Sequence, residues 1–309
     1  MLPVSRLNAG FVQPSYPQQV VDSYLQASLV FDFIESRWGF QPILQMLHGY
    51  RDGETTPVLV ERLLDIEMED LDRDFDEYFR RRYETALNAL AAPAASADMS
   101  AQPTSIEDLT RLARENPENF RARLTAGVAL FQEDRLDEAE DHLRAALRLF
   151  PEYGGNDSPY WFLAQIHNRR GETGLAEAAL ARQTALNESH YEAFLQHAEL
   201  LNELGDVDGA AAALDAAVLI YPYEIDLHNR LAAAHAERSD LTGAVRERRA
   251  VVALEPTDRA GALYQLARAY WADGQVREAR RAVLHALEIA PNYEEALDLL
   301  LEIRAGGTS

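Results

Sequence analysis

The chain has 309 residues, no cysteine and a formal net charge of −22, and all 29 of its basic residues are arginines. The length predicts about two domains, and the lack of cysteine excludes disulfides and thiolate metal sites. The negative charge disfavours nucleic acid and anionic membranes as partners, and no apolar run of about 18 residues could cross a bilayer.

Residues 1–90 predict a small helical region with four helices. Their apolar residues recur at close to helical spacing, and the segments cover Pro17–Trp38, Pro42–Tyr50, a stretch from Thr56, and about Glu69–Leu90. Gly39 is the expected C-cap of the first helix. Thr56 can cap the third, with Pro57 at its first position.

An acidic run occupies residues 65–77, where eight of thirteen residues are Asp or Glu. A calcium loop of the helix–loop–helix type needs a glycine at its sharp turn and a glutamate at its twelfth position, and the run has no glycine. Its apolar residues fit a helix face that contains Leu71, Phe75, Tyr78 and Phe79. We therefore expect a solvated acidic helix, with the arginines at 80–82 as salt partners for the acids.

Residues 91–104 are rich in Ala, Pro and Ser, and we interpret them as a flexible linker; packing along the surface is the alternative. The chain after them repeats itself at a period near 34 residues. Four kinds of residue mark the period: small residues in a first helix (Gly127, Ala164, Ala198, Ala232, Ala267), turn residues (Asp134, Gly171, Gly205, Ser239, Gly274), small residues in a second helix (Ala139, Ala176, Ala210, Ala244, Ala279), and terminating prolines (Pro151, Pro222, Pro256, Pro291).

Each mark has a physical role. Small residues let two helices approach closely, the turn residues allow a left-handed backbone, and proline ends a helix. Large residues should fill the space between neighbours at Leu143, Leu180, Leu214 and Val283. Arg248 interrupts this series, and we expect its stem to be buried and its head to reach water.

These marks resemble the tetratricopeptide repeat (TPR) family, whose signature is similar to the pattern from Leu263 to Pro291. The resemblance implies an all-α solenoid, a right-handed superhelix of helix hairpins. The expected units after the linker, within 105–309, are a half-repeat at 105–119, a capping helix at 294–304 and, between them, repeats at 120–153, 157–190, 191–224, 225–258 and 260–293. Capping helices close an otherwise exposed apolar end.

The resemblance also implies a concave groove lined by the first helices, where the family typically holds an extended peptide or a partner helix. Its residues here, which we name the predicted groove, are Phe131, Trp161, Gln165, Asn168, Arg169, Glu199, Asn202, Asn229, Tyr264, Arg268 and Trp271. The glutamates near its middle suggest a partner with some basic character. Alternatively, the two tryptophans only pack between neighbouring helices, and Asn202 is only solvated.

Residues 1–90 have a second resemblance, to the C-terminal tail of the catalytic domain in gluzincin-type, peptidase-MA-like zinc proteins. It rests on Leu7, Phe11, Pro14, the 23–28 run SYLQAS, Phe33-Ile34 and Gly39-Phe40. In bacterial members of that family, TPR repeats often follow. The family's zinc helix and third ligand precede this stretch, and none of the eight histidines here lies in a His-Glu-x-x-His motif.

Two functions are therefore open: a protein–protein interaction scaffold, or the non-catalytic C-terminal portion of a zinc metallopeptidase. We expect this chain itself to be no enzyme, with no catalytic residue, metal or cofactor. We expect its partner to be a protein or peptide, with no nucleic acid and no membrane insertion. The chain lacks the layout of a signal peptide, so a soluble protein is expected, although a longer parent could be periplasmic or secreted.

Overall fold

The structure, a computed structural model, describes residues 1–90 and 105–306, and these residues form helices and loops without a β-strand. The predicted all-α class is confirmed. The chain divides into two compact units, Met1–Ala92 and Pro93–Ser309. The predicted linker at 91–104 lies outside the described residues.

The first unit contains a 3-10 turn and six short to medium helices: Val4–Arg6, then α1 (Leu7–Val12), α2 (Gln19–Trp38), α3 (Phe40–Arg51), α4 (Thr56–Leu64), α5 (Met68–Arg82) and α6 (Glu84–Leu90). Three of the four predicted helices correspond to α2, α3 and α4. Gly39 ends α2 with a φ of 82°, as expected of a C-cap. Thr55, rather than Thr56, occupies the N-cap of α4.

Two features of this unit differ from the sequence prediction. The short helix α1 was missed because tertiary contacts hold it: a Cβ on Gly10 would lie 2.0 Å from Oγ of Ser23, and the Leu2 amide donates to Gln26 at 3.0 Å. The predicted helix at 69–90 is interrupted at Tyr83, whose φ of −111° leaves the helical region. The Tyr83 ring packs against Phe79 at 5.0 Å.

The core of the first unit centres on Phe33, which is 3% exposed. Its ring lies 5.8 Å from Phe75 and 5.1 Å from Tyr78, and Trp38 meets it edge-on at 5.6 Å. Leu71 is also buried. The apolar face predicted for the acidic helix is therefore real, and it joins α5 to α2.

The acids of α5 pair mainly with arginines other than those at 80–82. Arg73 contacts Asp70 at 2.6 Å and Asp74 at 3.0 Å, and Arg37 also pairs with Asp74. Of the three predicted partners, only Arg80 has an ion pair in the described part of the chain, with Asp76 at 2.7 Å. Arg37 reaches the acids because α2 packs against α5.

The second unit begins with α7 (Ile106–Glu115) and continues as five helix pairs: α8 (Phe120–Gln132) with α9 (Leu136–Leu149), α10 (Pro159–Arg169) with α11 (Thr173–Leu186), α12 (Tyr191–Glu203) with α13 (Val207–Ile220), α14 (Ile225–Glu237) with α15 (Leu241–Ala253), and α16 (Arg259–Ala272) with α17 (Val276–Ile289). Helix α18 (Glu294–Gly306) follows. Each helix packs against the next along the chain, as expected of a solenoid.

The five predicted turn residues all have a left-handed backbone. The φ angles are 59° at Asp134, 71° at Gly171, 79° at Gly205, 61° at Ser239 and 73° at Gly274. Only glycine adopts this conformation without a steric penalty. The two turns that lack glycine therefore hold a strained residue in the same position.

The small residues that mark the repeat are buried, as predicted. Ala139, Ala176, Ala198 and Ala267 are 0% exposed, and a Cβ on Gly127 would lie 2.8 Å from Leu143. The large residues of the series are buried too: Leu143, Leu180, Leu214 and Val283. Helices within a pair therefore meet at small residues, and the larger side chains fill the remaining space.

Arg248 differs from the expectation that its head lies in water. The side chain is half-buried, and Nη1 donates a hydrogen bond to Oδ1 of Asn229. Burial lowers the pKa of Arg248, and the positive charge of Arg268 adds to the effect. The guanidinium therefore lies in a partly desolvated place.

Candidate functional site

The predicted groove residues all lie on the first helices of the five pairs, α8, α10, α12, α14 and α16. The side chains of Asn168, Arg169, Glu199, Asn202 and Arg268 are exposed, and the other six are half-buried. We call the place where the first helices of two neighbouring pairs meet a joint, and side-chain contacts occur at three successive joints.

At the first joint, Arg169 crosses from α10 to α8. Its guanidinium lies 4.4 Å from the centre of the Phe131 ring and donates to Asp134 at 2.9 Å. Phe162 meets the same Phe131 ring edge-on at 5.3 Å. A cation over an aromatic ring is favourable, so these three side chains form one connected surface.

At the second joint, Gln165 of α10 donates to Gln196 of α12. Beside this pair is a cavity of about 120 Å³ between the same two helices. Its rim is polar and acidic and its floor is apolar; the lining residues are Ala164, Asn168, Leu180, Gln196, Glu199, Leu200 and Glu203. The structure thus brings Asn168 and Glu199 together, as members of one pocket.

At the third joint, Glu199 of α12 contacts Arg230 of α14 at 3.2 Å. Both side chains retain solvent contact, with 57% of Glu199 and 28% of Arg230 exposed. Exposed ion pairs of this kind contribute about 0–1 kcal/mol. Asn202, one turn further along α12, is exposed and has no side-chain partner among the described residues.

Asn229 already has a side-chain partner in the folded chain. Its Oδ1 accepts the hydrogen bond from Arg248, so the amide already orients a half-buried cation. Replacing Asn229 would change two groups at once.

The final pair presents Tyr264 and Arg268 together. The Arg268 guanidinium lies 6.0 Å from the Tyr264 ring centre. The other side of Tyr264 packs against Tyr293, with ring centres 5.1 Å apart. Tyr264 is therefore fixed by packing, while Arg268 remains exposed.

The two tryptophans contribute to the packing of the helices, which was the alternative interpretation. Trp161 is half-buried against the cluster around Ala176 and Leu180, and its ring lies 4.8 Å from His190. Trp271 packs against the core formed by α16, α17 and α18. A Cβ on Gly306 would lie 2.7 Å from Trp271. Both rings are half-buried, so part of each reaches the surface.

Three residues that complete this surface were not included in the predicted groove: Gln196, Arg230 and Arg248. Arg230 lies one position beyond Asn229, and Gln196 lies three positions before Glu199; each contacts the preceding first helix. Charge complementarity between successive repeats is the sequence signal that could have identified them, because Glu199 in one repeat is followed by Arg230 in the next. Arg248 was noticed only as an exception to the apolar series.

Among residues 1–90 and 105–306, no group of three or more His, Cys, Asp and Glu side chains could hold a metal ion. Within the same residues, no helix is both long enough and apolar enough to cross a membrane.

Solved structures of TPR proteins resemble this fold. YrrB, described as a TPR protein with an unusual peptide-binding site, is 18% identical with a TM-score of 0.48, covering 63% of this chain and 98% of its own. MamA from Desulfovibrio magneticus RS-1 is 24% identical with a TM-score of 0.39, covering 48% and 84%. TTC0263 from Thermus thermophilus, described as a thermophilic TPR protein, is 22% identical with a TM-score of 0.31, covering 62% and 100%.

No curated protein matches this chain. Family models described as tetratricopeptide repeat match residues 103–153, 160–225 and 260–293. The matched segments contain four of the five helix pairs, and the pair formed by α14 and α15 lies outside them. Buried small residues, left-handed turns and sequential helix packing agree with these matches. The second unit of this chain therefore carries tetratricopeptide repeats.

Proposed function

We propose that the second unit is a protein–protein interaction scaffold, and that the predicted groove binds an extended peptide or a partner helix. The TPR repeats support an interaction role. The amides and the guanidinium group that remain exposed on three of the first helices, at Asn168, Asn202 and Arg268, suit a polypeptide, whose backbone offers both donors and acceptors.

The cavity between α10 and α12 is the observation that carries this proposal. Its volume of about 120 Å³ suits one side chain rather than a folded ligand. Leu180 and Leu200 provide an apolar floor, while Glu199 and Glu203 are at the rim. A lysine or arginine of the partner could lay its aliphatic stem on the leucines and place its charge between the carboxylates.

Affinity in this groove should be modest. A free peptide loses conformational freedom when it binds, and that cost offsets much of the contact energy. Glu199 is already paired with Arg230, so a basic ligand must compete with an existing contact. Glu203 has no side-chain partner among the described residues, so it can pair with a basic side chain of the ligand without such competition.

The test is a synthetic peptide array that samples basic, neutral and acidic sequences, followed by calorimetry with the peptides that bind. We expect basic peptides to bind, and we expect Glu203→Gln to weaken them about tenfold, the value of one charge-assisted hydrogen bond. Glu278→Gln is the matched control, because Glu278 is an exposed acid on α17, a second helix. Equal losses in the two variants, or no binding by any peptide, would refute the proposal.

The alternative function concerns the first unit. The proposal that this chain is a non-catalytic C-terminal portion of a zinc metallopeptidase rests on the sequence resemblance of residues 1–90. Its test is the coding sequence upstream of Met1. An in-frame His-Glu-x-x-His followed by a glutamate supports it, because such hydrolases need three protein ligands and a metal-activated water.

A further inference from the structure

The loop between the third and fourth helix pairs exposes aromatic side chains. Residues 221–224 join α13 to α14, and Tyr221 and Tyr223 are 49% and 71% exposed. Their ring centres lie 6.3 Å apart, and Tyr221 also lies 6.1 Å from the half-buried Tyr191 ring of α12. We call Tyr191, Tyr221 and Tyr223 the tyrosine cluster. None of the three belongs to the predicted groove.

The repeat pattern does not require an aromatic residue at Tyr223. In three other repeats, the residue after the terminating proline is polar and exposed, at Glu152, Thr257 and Asn292. Exposed Ser189 fills the same position in the repeat that lacks the proline. An aromatic ring that stays mostly in water gains little from burial. Neither the register of the repeats nor the core therefore accounts for this tyrosine.

Buried side chains hold the loop in place. Nε2 of His228 donates to the Pro222 carbonyl at 2.9 Å, and Nδ1 of the same ring lies 2.6 Å from Oε2 of Glu247. Both His228 and Glu247 are buried. Because Pro222 stands between the two loop tyrosines, this contact fixes the backbone that presents them. A surface that is ordered in advance loses less entropy when a partner binds.

Acidic side chains without a cationic partner flank the tyrosine cluster. Glu192 follows Tyr191 directly, Glu224 is the last residue of the loop, and Asp226 lies in the first turn of α14; all three acids are exposed. In the described part of the chain, none of the three has an ion pair, and no arginine lies over the cluster's rings. Burial raises the pKa of Tyr191, and the charges of the three acids raise it further, against the opposing charge of Arg230.

Elsewhere in this chain, an arginine completes the same combination of ring and carboxylate. Arg169 lies 4.4 Å from the Phe131 ring centre and donates to Asp134 at 2.9 Å. Arg37 lies 4.7 Å from the Trp38 ring centre and pairs with an acid of α5. A planar guanidinium can stack on a ring while its N–H groups reach a carboxylate. At the tyrosine cluster the rings and the acids are present, and the structure describes no arginine of this chain between them.

We propose that the tyrosine cluster, with Glu192 and Glu224, docks an arginine side chain from an extended segment of a partner protein. The guanidinium stacks on a loop tyrosine and donates to Glu224. The formal net charge of −22 favours the approach of such a basic segment. This surface goes beyond the proposed function, because it lies on a loop between helix pairs and shares no residue with the predicted groove.

The first experiment uses N-acetylarginine amide as the probe and the full chain with ring-labelled tyrosine. In nuclear magnetic resonance spectra, the signals of Tyr221 and Tyr223 are identified by their loss in Tyr221→Ser and Tyr223→Ser. We expect both signals to shift saturably with the probe at constant ionic strength, while exposed Tyr50 of α3 does not respond. Equal shifts at Tyr50, or no saturable shift at the loop tyrosines, would overturn the proposal.

Two related compounds test the chemistry of the probe. N-acetylcitrulline amide keeps the planar shape without the charge, and we expect it to cause no saturable shift. N-acetyllysine amide keeps the charge without the planar fork, and we expect its dissociation constant to be about fivefold higher than that of the arginine compound. A response to citrulline equal to that of arginine, or equal affinities for lysine and arginine, would contradict the assignment to arginine.

Substitutions then test the residues. Tyr223→Ser installs the residue that stands at Ser189, so it should remove the shift of Tyr221 at an unchanged melting temperature. Glu224→Gln should weaken the probe about fivefold, the value of an exposed ion pair. Glu152→Gln, at an exposed acid of the loop between the first two helix pairs, is the matched control. Binding that survives both Tyr223→Ser and Glu224→Gln would overturn the proposal.

Two last measurements separate this surface from the groove and test the partner. Glu203→Gln alters the predicted cavity, so it should leave the shifts of the loop tyrosines unchanged. If it abolishes them, the arginine binds in the groove, and the present proposal fails while the proposed function stands. A glycine–serine peptide with one internal arginine should cause the same shifts as the single residue. A peptide that causes none would refute docking of an extended segment.

Discussion

The turn at Ser239 offers a sharp test of how backbone strain is distributed along the repeats. Ser239 has a φ of 61°, and the equivalent Gly205 has a φ of 79°. Both residues are exposed, and a Cβ added to Gly205 would meet nothing within 4 Å. Reciprocal substitutions, Ser239→Gly and Gly205→Ser, therefore change the local backbone preference and little else.

The expected effects have opposite signs. A non-glycine residue in the left-handed conformation costs roughly 1–2 kcal/mol, while glycine loses about 0.5–1 kcal/mol more entropy on folding. Ser239→Gly should therefore raise the free energy of unfolding by about 0.5–1 kcal/mol, and Gly205→Ser should lower it by a similar amount. Asp134→Gly should raise the free energy of unfolding by less than Ser239→Gly does, because it also removes the exposed ion pair with Arg169 at 2.9 Å.

The measurement is urea unfolding followed by far-ultraviolet circular dichroism, comparing midpoints at an unchanged slope. If both reciprocal variants shift the midpoint in the same direction, the steric cost of the left-handed backbone does not control the stability of these turns. If Ser239→Gly lowers the midpoint, the serine side chain makes a stabilising contact that outweighs the backbone strain.

Three further predictions concern the core, one tyrosine and metal binding. Leu143→Ala should lower the free energy of unfolding by about 2–5 kcal/mol, because Leu143 is 0% exposed. Leu219→Ala, at a side chain that is 87% exposed, should change it by less than about 0.5 kcal/mol. Comparable losses for the two variants in urea titrations would contradict the packing of Leu143. Burial and a hydrogen bond to Asp157 raise the pKa of Tyr153 from 10.0 to about 12. The contribution of Tyr153 to the free energy of unfolding should therefore be complete below pH 10 and be lost as the pH rises towards about 12. Ultraviolet titration should show an earlier ionisation in Asp157→Asn, and an unchanged titration would mean that Asp157 does not raise this pKa. After dialysis, elemental analysis of untagged protein should find no stoichiometric zinc; retained zinc bound by protein ligands would contradict the expectation.

The solenoid could be read from the sequence because its information is local and repeated. Gly127 and Ala164 occupy equivalent positions, so a mark that is ambiguous once becomes clear when it recurs in register. The first unit has no such repetition. Gly10 of α1 fits closely against Ser23 of α2, and Leu2, before α1, donates a hydrogen bond to Gln26 of the same helix. Spacing alone does not encode these contacts.

The predicted groove shows the same division. Periodicity placed its residues on the first helices, but it could not say which side chains already had partners. Asn202 and Asn229 are both amides on first helices; one is free, and the other holds Arg248. The difference is that Arg248 of α15 reaches Asn229 of α14, a contact that only the folded chain provides.

The side-chain links across the first helices have a mechanical consequence. In a stack where each repeat touches only its neighbours, compliance adds along the axis as it does for springs in series. The exposed pair of Glu199 and Arg230 is weakened by salt screening, whereas the amide pair of Gln165 and Gln196 carries no charge. Rising ionic strength should thus soften the third joint more than the second, so that the repeats bend unevenly and their end-to-end distance becomes a function of salt.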